Sequence, residues 1–414
     1  MNISRNIIRP VKTAWQTSCS LRQALIVALF VVAGGCVMLS VGGCERRPEL
    51  YLRKVVPTRF TITNLALELE TYWDYSFIYG VKYDWRGEWY YGWDEKDVEL
   101  FGPIGYTDPE VFDLRRYYTA QIPYAPHTRV MSHVVNGHEF TGDFELGFWD
   151  ILVWNDILTP DNVQSLVIDE TSTLDSVIAS TNASMRTSRY SAPRYTHSFN
   201  QPEELFSAYE QGIEINEDLD GFTWDEARGV WVKVLSMELT PVTYIYLTQV
   251  ILRHNGGKVI AVEGASDLSG VARSTNVNTG RAGDDAVTLF YNTRFKENCD
   301  MEGEPVDIAG GRLLTFGIPG LRPRSFTSEA DLPELRRQLQ DKAPNNLAIK
   351  MQFYNGLDST FVFDVTDQVH RRFRGGVITV VLDMDTIPVP DKKGGSGFNA
   401  TVKDYEEETH TIDM

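Results

Sequence analysis

TPVTYIYLTQVILRH, residues 240–254, is the stretch of this sequence that decides the fold. Val, Ile, Thr and Tyr make up most of it, and these side chains favour extended strands over helices. Runs of the same kind recur along the chain between turn residues such as Gly, Pro, Asn and Asp. They are RFTITNLALELE (59–70), FELGFWDILVWN (144–155), DDAVTLFYNTRF (284–295), NNLAIKMQFYN (345–355), STFVFDVTDQV (359–369) and GGVITVVLDMDTI (375–387).

A period of two in hydrophobicity is the dominant pattern of these runs. Many short strands separated by turn signals are typical of β-sandwiches, so the sequence predicts a mainly β fold with a few short helices. Three segments have the spacing of a helix and are predicted as connectors. They are DPEVFDLRRYY (108–118), QPEELFSAYEQG (201–212) and SEADLPELRRQLQDKAP (328–344).

The length of 414 residues, with 43% hydrophobic composition, favours two domains of ordinary size. Residues 169–201 are rich in Ser, Thr, Asn and Arg and show little periodicity, which is typical of a loop or linker. We therefore predict a first β-sandwich domain over 58–185, a linker over 186–200 and a second β-sandwich domain over 201–414.

The first 43 residues predict a lipoprotein signal peptide. Basic residues and no acid precede the apolar run ALIVALFVVAGGCVMLSVGGC (24–44). Its end, SVGGC, resembles a bacterial lipobox, in which the Cys becomes the first mature residue and carries the lipids. We predict lipidation of Cys44, with Cys36 as the rival, because the polar chain starts directly after Cys44. A retained membrane span is the alternative.

These signals predict a protein that is lipid-anchored in the cell outer membrane, with residues 44–57 as its tether. The sequence does not decide between the periplasmic and the surface face of that membrane. The formal net charge of −18 argues against a nucleic-acid partner, since phosphate binding needs a basic surface. Beyond Cys44 only Cys299 follows, so no disulfide between two core cysteines is expected, and Cys299 is interpreted as a structural thiol.

Catalytic and metal motifs are not found, so we predict no enzyme, no cofactor, no catalytic residue and no metal ligand. NEDLDG (216–221) matches part of a calcium loop, but Ala227 stands at the twelfth position, where Glu is required. His127, His133 and His138 lack the regular spacing of a zinc site and are interpreted as loop residues.

An aromatic tract, YWDYSFIYGVKYDWRGEWYYGW (72–93), is either a binding surface or part of a core. We predict a β-hairpin over 83–93 with its turn at residues 86–87, so that several rings share one face. The favoured interpretation is that this face packs against a neighbouring sheet or the second domain. If it is exposed, its candidate ligand- or partner-binding residues are Trp85, Trp89, Tyr91 and Trp93.

Several phrases, in their order along the chain, resemble a Bacteroidales family of lipoproteins that includes anchor and accessory subunits of type V fimbriae. They are CERRPELYL (44–52), ELGFWDILVWND (145–156), QPEELF (201–206), ASDLSGVARSTNVNTG (265–280), GGRLLTFGIPG (310–320), FVFDVTDQV (361–369) and FNATVKDYEEE (398–408). The resemblance implies two transthyretin-like sandwich domains and subunits that join by donating a strand to a neighbour.

The functional prediction is thus an outer-membrane lipoprotein that serves as a structural anchor or accessory subunit of a fimbria-like surface fibre. Its expected partners are the membrane, through the lipid, and fimbrial subunits bound by β-strand addition. The alternative is a surface glycan-binding lipoprotein that uses the aromatic hairpin at 83–93.

Overall fold

The computed structural model describes residues 55–63, 67–119, 127–157, 164–170, 177–182, 198–216, 218, 221–391 and 401–402. Over these residues the fold is mainly β, with five sheets and only short helices, which confirms the predicted fold class. In the part of the chain so described, no helix is both long and apolar enough to cross a membrane.

The first sandwich consists of two sheets that face each other across a shared core. Sheet I has the order β10 (Phe222–Asp225), β11 (Val230–Glu238), β1 (Val55–Thr63) and β4 (Glu139–Glu145). Sheet II has the order β12 (Thr240–Pro241), β9 (Phe206–Ile215), β5 (Gly147–Asn155), β2 (Val111–Thr119) and β3 (Arg129–Asn136). Buried residues from both sheets, such as Phe144, Trp149 and Ile213, fill the space between them.

Strands from beyond the predicted linker complete this first sandwich. β11 pairs in parallel with β1, and β9 pairs antiparallel with β5. The second domain was predicted to begin at residue 201, but the strand pairing assigns β9 and β11, which follow that residue, to the first sandwich. The physical reason is that Phe206 and Leu235 bury their side chains in the core that β1 to β5 leave incomplete.

The second sandwich is built from β8 and from strands within residues 244–391 and 401–402. Sheet III has the order β18 (Arg294–Met301), β19 (Glu304–Thr315), β13 (Tyr244–Arg253) and β22 (Gly376–Asp383). Sheet IV has the order β23 (Thr401–Val402), β21 (Asp358–Asp364), β20 (Asn346–Phe353), β15 (Ala265–Ala272), β17 (Ala286–Asn292) and β8 (Ser198–Asn200), and β14 (Val259–Val262) also pairs with β20.

β13, the strand of the opening stretch, is buried on both faces. Val250 lies in the core between sheets III and IV, and its neighbour Ile251 lies in a separate cluster on the outer face of sheet III. Nine of its ten residues are buried. A strand covered on both faces needs no polar alternation, which explains why TYIYLTQVIL is apolar almost throughout.

A small sheet V covers the outer face of sheet II, and its order is β16 (Ser274–Asn276), β7 (Ile178–Thr181) and β6 (Leu166–Asp169). Leu166 and Ala179 of this sheet share a core with Leu152 and Trp154 of β5. Because β16 continues from β15 of the second sandwich, sheet V is a contact between the two sandwiches.

The helices are short. They are α1 (Leu69–Tyr72), α2 (Ser76–Tyr79), α3 (Trp85–Glu88), α4 (Glu95–Phe101), α5 (Leu332–Leu339) and α6 (Thr366–Arg371), with 3₁₀ turns at Pro323–Ser325 and Glu329–Asp331. The helix predicted within 328–344 is confirmed by α5. The other two predicted helices are wrong, because 108–118 contains most of β2 and 201–212 contains most of β9. Partner strands on both sides outweigh local propensity there.

Candidate functional site

The aromatic tract forms a layer of short helices, α1 to α4, on the outer face of sheet III. The predicted β-hairpin over 83–93 is wrong, since residues 85–88 form α3. The Asp84 side chain accepts a hydrogen bond from the backbone N–H of Gly87 at 3.1 Å, which stabilises the first turn of a helix. The pair Arg86 and Gly87, predicted as a hairpin turn, therefore lies inside α3.

The four candidate binding residues of the tract point mainly into the protein. Trp85 is 7% exposed and Tyr91 is 2% exposed, while Trp89 and Trp93 are half-buried against the same core. The Trp89 ring meets those of Tyr91 and Trp93 at interplanar angles of 51° and 46°. The rings therefore do not form a flat exposed platform, and their geometry is that of a packed layer, as the favoured interpretation of the sequence holds.

A glycine on sheet III allows this layer to come close. A Cβ atom on Gly310 would lie only 2.4 Å from a ring carbon of Tyr91. Gly310 belongs to GGRLLTFGIPG, one of the phrases that carry the family resemblance. The phrase therefore has a structural role, because any larger residue at this position would push the aromatic layer off β19.

Gln249, fully buried on β13, ties the layer to sheet III. Its side-chain carbonyl accepts hydrogen bonds from the backbone N–H groups of Tyr90 (3.0 Å) and Tyr91 (3.2 Å). Its amino group donates to the backbone carbonyl of Glu88 and to Oγ1 of Thr379, the latter at 2.9 Å. All the hydrogen-bonding groups of the side chain are used, which is what a buried amide requires.

Asp97 forms the second polar attachment of the layer and is also fully buried. Its carboxylate accepts hydrogen bonds from the Tyr91 hydroxyl at 2.8 Å and from the backbone N–H of Asp94 at 2.9 Å. Arg294 and Lys296 of β18 form ion pairs with it at 3.0 and 2.5 Å. The carboxylate thus joins α4 to sheet III through paired charges.

The layer also covers the outer edge of β22. The Tyr83 hydroxyl accepts a hydrogen bond from the backbone N–H of Val377 at 2.9 Å, and burial raises the pKa of this phenol. Farther along, the Gln368 side chain accepts from the N–H of Thr379 and donates to its carbonyl. Side chains thus take the place of a neighbouring strand, which protects this edge from pairing.

β3 ends sheet II without such a cover among the described residues. Its side chains alternate between half-buried and exposed, and the exposed set includes Val130 (41%) and Val134 (67%). An exposed edge strand with apolar side chains is a template for pairing with another chain. This strand was not predicted from the sequence, although the alternation in RVMSHVVN (129–136) and the Asn-Gly pair that follows could have identified it.

An exposed cluster of His254, Asp383 and Asp385 lies at one end of sheet III, with ligand atoms close enough to hold a metal ion. His254 Nδ1 already pairs with Asp383 at 3.0 Å, and Lys258 Nζ lies 3.6 Å from Asp385. The Lys258 ammonium occupies the place of a cation, so the arrangement is a surface ion-pair network.

The pKa of His254 is raised from its ordinary value of 6.5, chiefly by the hydrogen bond to Asp383. Stability from this pair is fully present below 6.5 and is lost as the pH rises through the raised pKa. We expect Asp383→Asn to lower the pKa of His254 toward 6.5, as measured by NMR titration of its ring protons. Asp367→Asn, on an exposed turn of α6, is the control and should leave that pKa unchanged.

The predicted lipidation residue, Cys44, and its rival, Cys36, lie outside the described residues. Cys299 is half-buried beside β19, and burial raises the pKa of its thiol. A raised pKa lowers the thiolate fraction at neutral pH, which agrees with a structural role.

No protein-family model matches the chain, and no curated protein matches it. The chain is similar to the solved structure of a candidate adhesin from Bacteroides ovatus, with 13% identity, a TM-score of 0.44 and coverage of 82% of this chain and 97% of that one. It is also similar to the fimbrial anchor protein Mfa2 from Porphyromonas gingivalis, with 12% identity, a TM-score of 0.34 and coverage of 66% and 82%.

A third similar structure, of candidate polysaccharide-binding proteins from Bacteroides thetaiotaomicron, has 7% identity, a TM-score of 0.38 and coverage of 79% of this chain and 91% of that one. Two of these neighbours carry adhesin or fimbrial names, and the group that the sequence phrases resemble is a fimbrial one.

Proposed function

We propose that this chain is an outer-membrane lipoprotein that acts as a structural anchor or accessory subunit of a fimbria-like surface fibre. In this proposal a partner subunit binds by adding a strand to the edge of β3 that faces away from β2, which pairs with no strand in the described part of the chain. The observation that carries the proposal is that β3 ends sheet II with Val130 and Val134 exposed on a face that also carries Ser132 and Asn136, while its other edge is fully paired with β2.

β3 has the properties that strand addition needs. It is eight residues long, contains no Pro, and its register with β2 runs without a bulge from Val111↔Asn136 to Tyr118↔Arg129. A regular edge offers backbone groups at even spacing, and an added strand gains main-chain hydrogen bonds there. Val130 and Val134 would supply the side-chain contacts that fix the register of the partner.

The other long edge strands of the two sandwiches are less suited to this role. β22 is covered by side chains, as described above, and β18 has a register shift between Lys296 and Cys299. β21 is already paired with β23. β10, at one edge of sheet I, has only four residues, and β4, at the other edge, exposes the charged side chains of Glu139 and Asp143. Bulges, covers and short lengths are the usual protections of sheet edges, so β3 is the favoured acceptor.

Strand addition at β3 predicts that a charge on its exposed face will weaken partner binding. We expect Val134→Lys to reduce about tenfold the amount of fibre subunit that co-purifies with the protein from its native cells, because Lys opposes edge pairing. Quantitative mass spectrometry of the detergent-solubilised complex measures this. Val234→Lys is the matched control, since Val234 is an exposed Val on β11, a strand paired on both edges.

Equal subunit recovery with Val134→Lys and Val234→Lys would contradict binding at β3. Loss of recovery with both variants would indicate a general effect of added charge instead. Both residues are exposed, so neither substitution should change the melting temperature appreciably.

The lipid anchor makes a separate prediction. We expect Cys44→Ala to move the protein from the outer-membrane fraction to the soluble fraction, because the only proposed attachment is the lipid on that thiol. Immunoblots of fractionated cells measure this, with Cys36→Ala as the control that should remain in the membrane. Release by Cys36→Ala alone would assign the lipid to the rival residue, and retention of both variants would rule out a lipid anchor.

The alternative function, glycan binding by the aromatic residues at 83–93, receives no support from their geometry. Trp85 and Tyr91 are buried, and the half-buried Trp89 and Trp93 pack on the outer face of sheet III. Stacking on a sugar needs an accessible ring face, whereas the ring faces of these residues pack against other side chains of the protein.

A further inference from the structure

An exposed pair of tryptophans lies on the hairpin that β10 and β11 form at the edge of sheet I. Trp224 and Trp231 stand directly opposite each other on the two strands, and their ring centroids are 5.5 Å apart in an edge-to-face arrangement. Trp224 is 50% exposed and Trp231 is 43% exposed. The six other tryptophans in the described part of the chain are buried or half-buried, so this pair differs from all of them.

The turn of this hairpin is held by its own hydrogen bonds. The Asp225 carboxylate accepts from the backbone N–H groups of Ala227 at 3.0 Å and Arg228 at 3.2 Å. The N–H of Gly229, whose φ of 64° favours glycine, donates to the backbone carbonyl of Asp225 at 2.8 Å. The two rings are thus presented next to a preformed turn, and little order has to be gained when they bind a partner.

The pair lies at the end of sheet I where the chain enters the first sandwich. β1 and β11 run in parallel, with Thr58 opposite Lys233. Both strands therefore begin at the same end of the sheet, β1 at Val55 and β11 at Val230. Trp231 is the second residue of β11, so the exposed rings and the first residues of β1 are at the same level.

The length of chain before β1 limits where a membrane can lie. Residues 45–54 separate Cys44, the proposed site of the lipid, from β1, and at ~3.6 Å per residue they reach about 40 Å at most. β1 has nine residues, which corresponds to a strand of about 30 Å. A membrane at the opposite end of sheet I would therefore require nearly full extension of this segment along the sheet. Full extension costs conformational entropy, so the end with the tryptophans is the favoured one.

The chemistry of the pair fits the interfacial region of a lipid bilayer. Tryptophan has a large apolar ring and one N–H donor, and it is enriched at membrane–water interfaces for that reason. The turn beside the rings carries Asp225, Glu226 and Arg228, a net charge of about −1, which does not favour anionic lipids. Zwitterionic headgroups, which offer both charges, suit this surface better.

We propose that Trp224 and Trp231 insert into the headgroup region of a zwitterionic phospholipid membrane beside the lipid anchor, and this proposal rests on the anchor at Cys44. The contact orients the first sandwich with this end of sheet I toward the membrane. Two half-exposed rings are too small to hold the protein without the lipid, so Cys44→Ala should still release it. β3 belongs to the other sheet, and its edge stays open to a fibre subunit.

A polysaccharide is a less favoured occupant of the pair. Sugar rings stack on an open aromatic face, and two rings that form one platform would have to be nearly coplanar. The planes of Trp224 and Trp231 instead meet at 64°, with the edge of one ring against the face of the other. Insertion among lipid headgroups needs no flat platform, so this geometry favours the membrane.

The test is tryptophan quenching in the full-length protein, purified from its native membranes in detergent and reconstituted into phosphatidylcholine vesicles. Half of the samples contain lipid with bromine on the upper part of an acyl chain, which quenches only tryptophans that reach the bilayer. We expect brominated lipid to lower the emission by up to about a quarter, because Trp224 and Trp231 are two of the eight tryptophans that remain once the predicted signal peptide, with Trp15, is removed. Trp224→Phe and Trp231→Phe should each abolish about half of this quenching, and the double substitution nearly all of it.

The matched control is Trp93→Phe, which removes a half-buried ring on the outer face of sheet III and should leave the quenching unchanged. Flotation of the same vesicles reports attachment independently of quenching. Protein that floats without quenching, or with quenching that the double substitution does not remove, would overturn this proposal and leave the lipid anchor standing. Protein that does not float would overturn both. A shift of Trp224 and Trp231 emission by soluble mannan or dextran, without quenching by brominated lipid, would assign the pair to glycans and overturn the membrane contact.

Discussion

Replacing Asp97 with Ala is expected to lower the free energy of unfolding by about 2–4 kcal/mol, because two largely buried cations lose their buried carboxylate and keep only the half-exposed Asp94. Lys296 and Arg294 have side chains that are 13% and 25% exposed, and both form ion pairs with this carboxylate. The substitution also removes the hydrogen bond to the Tyr91 hydroxyl and half of the capping box of α4. Urea denaturation followed by tryptophan fluorescence measures the change.

Glu99→Ala is the matched control for Asp97→Ala, since it removes an exposed carboxylate from the same helix and should change stability by less than about 0.5 kcal/mol. Asp97→Asn keeps the size of the side chain and one hydrogen-bond acceptor, and should fall between the two. If Asp97→Ala proves as stable as Glu99→Ala, the ion cluster does not attach α4 to sheet III.

Gln249→Met is expected to cost about 2–4 kcal/mol, although it preserves the volume of the side chain. It removes four hydrogen bonds at once, among them those to the backbone N–H groups of Tyr90 and Tyr91 and to the carbonyl of Glu88. The local consequence is that the aromatic layer detaches from β13 more readily. Urea denaturation measures the loss, and limited proteolysis should show faster cleavage within residues 69–101.

The control for this change is Gln352→Met, an exposed Gln near the end of β20, which should have little effect on either measurement. Equal proteolysis rates in the two variants would show that Gln249 does not hold the layer. A loss of stability without faster cleavage would place the effect in the core beneath β13 instead.

The core strands of the second sandwich could be predicted from sequence because their composition is unambiguous. β13, β20 and β22 are runs of β-branched and aromatic residues bounded by turns, and no helical pattern competes with them. The helix α5 was predictable for a similar reason, since Leu332, Leu335 and Leu339 follow helical spacing and Pro333 stands in the first turn.

β2 and β9 could not be predicted because the spacing of their apolar residues fits both a strand and a helix. β2 buries Leu114 in the first core and Tyr117 in the cluster under sheet V, so both of its faces are apolar. The spacing of such residues along PEVFDLRRYY also fits a helix. Only the neighbouring strands decide between the two conformations, and they lie far away in the sequence.

The burial of the aromatic layer could be predicted from sequence, but its conformation could not. Its burial against the second sandwich follows from its composition, since large aromatic residues supply buried area. Its conformation does not, because Asp84 caps a helical turn at the place where the sequence indicated a hairpin. The role of the buried Gln249 amide has no sequence signal, since its hydrogen bonds join segments that only the fold brings together.

The interleaving of the two sandwiches has a consequence for the order in which the chain can fold during synthesis. β1 is the first described strand to leave the ribosome, but its neighbour β11 follows only after most of the first sandwich. The aromatic layer must likewise wait for β13, β19 and β22 before its apolar surface is covered. Contacts so distant in sequence slow folding and leave apolar surface open to aggregation. A chain of this design therefore needs chaperone protection until nearly all of it has been made and delivered.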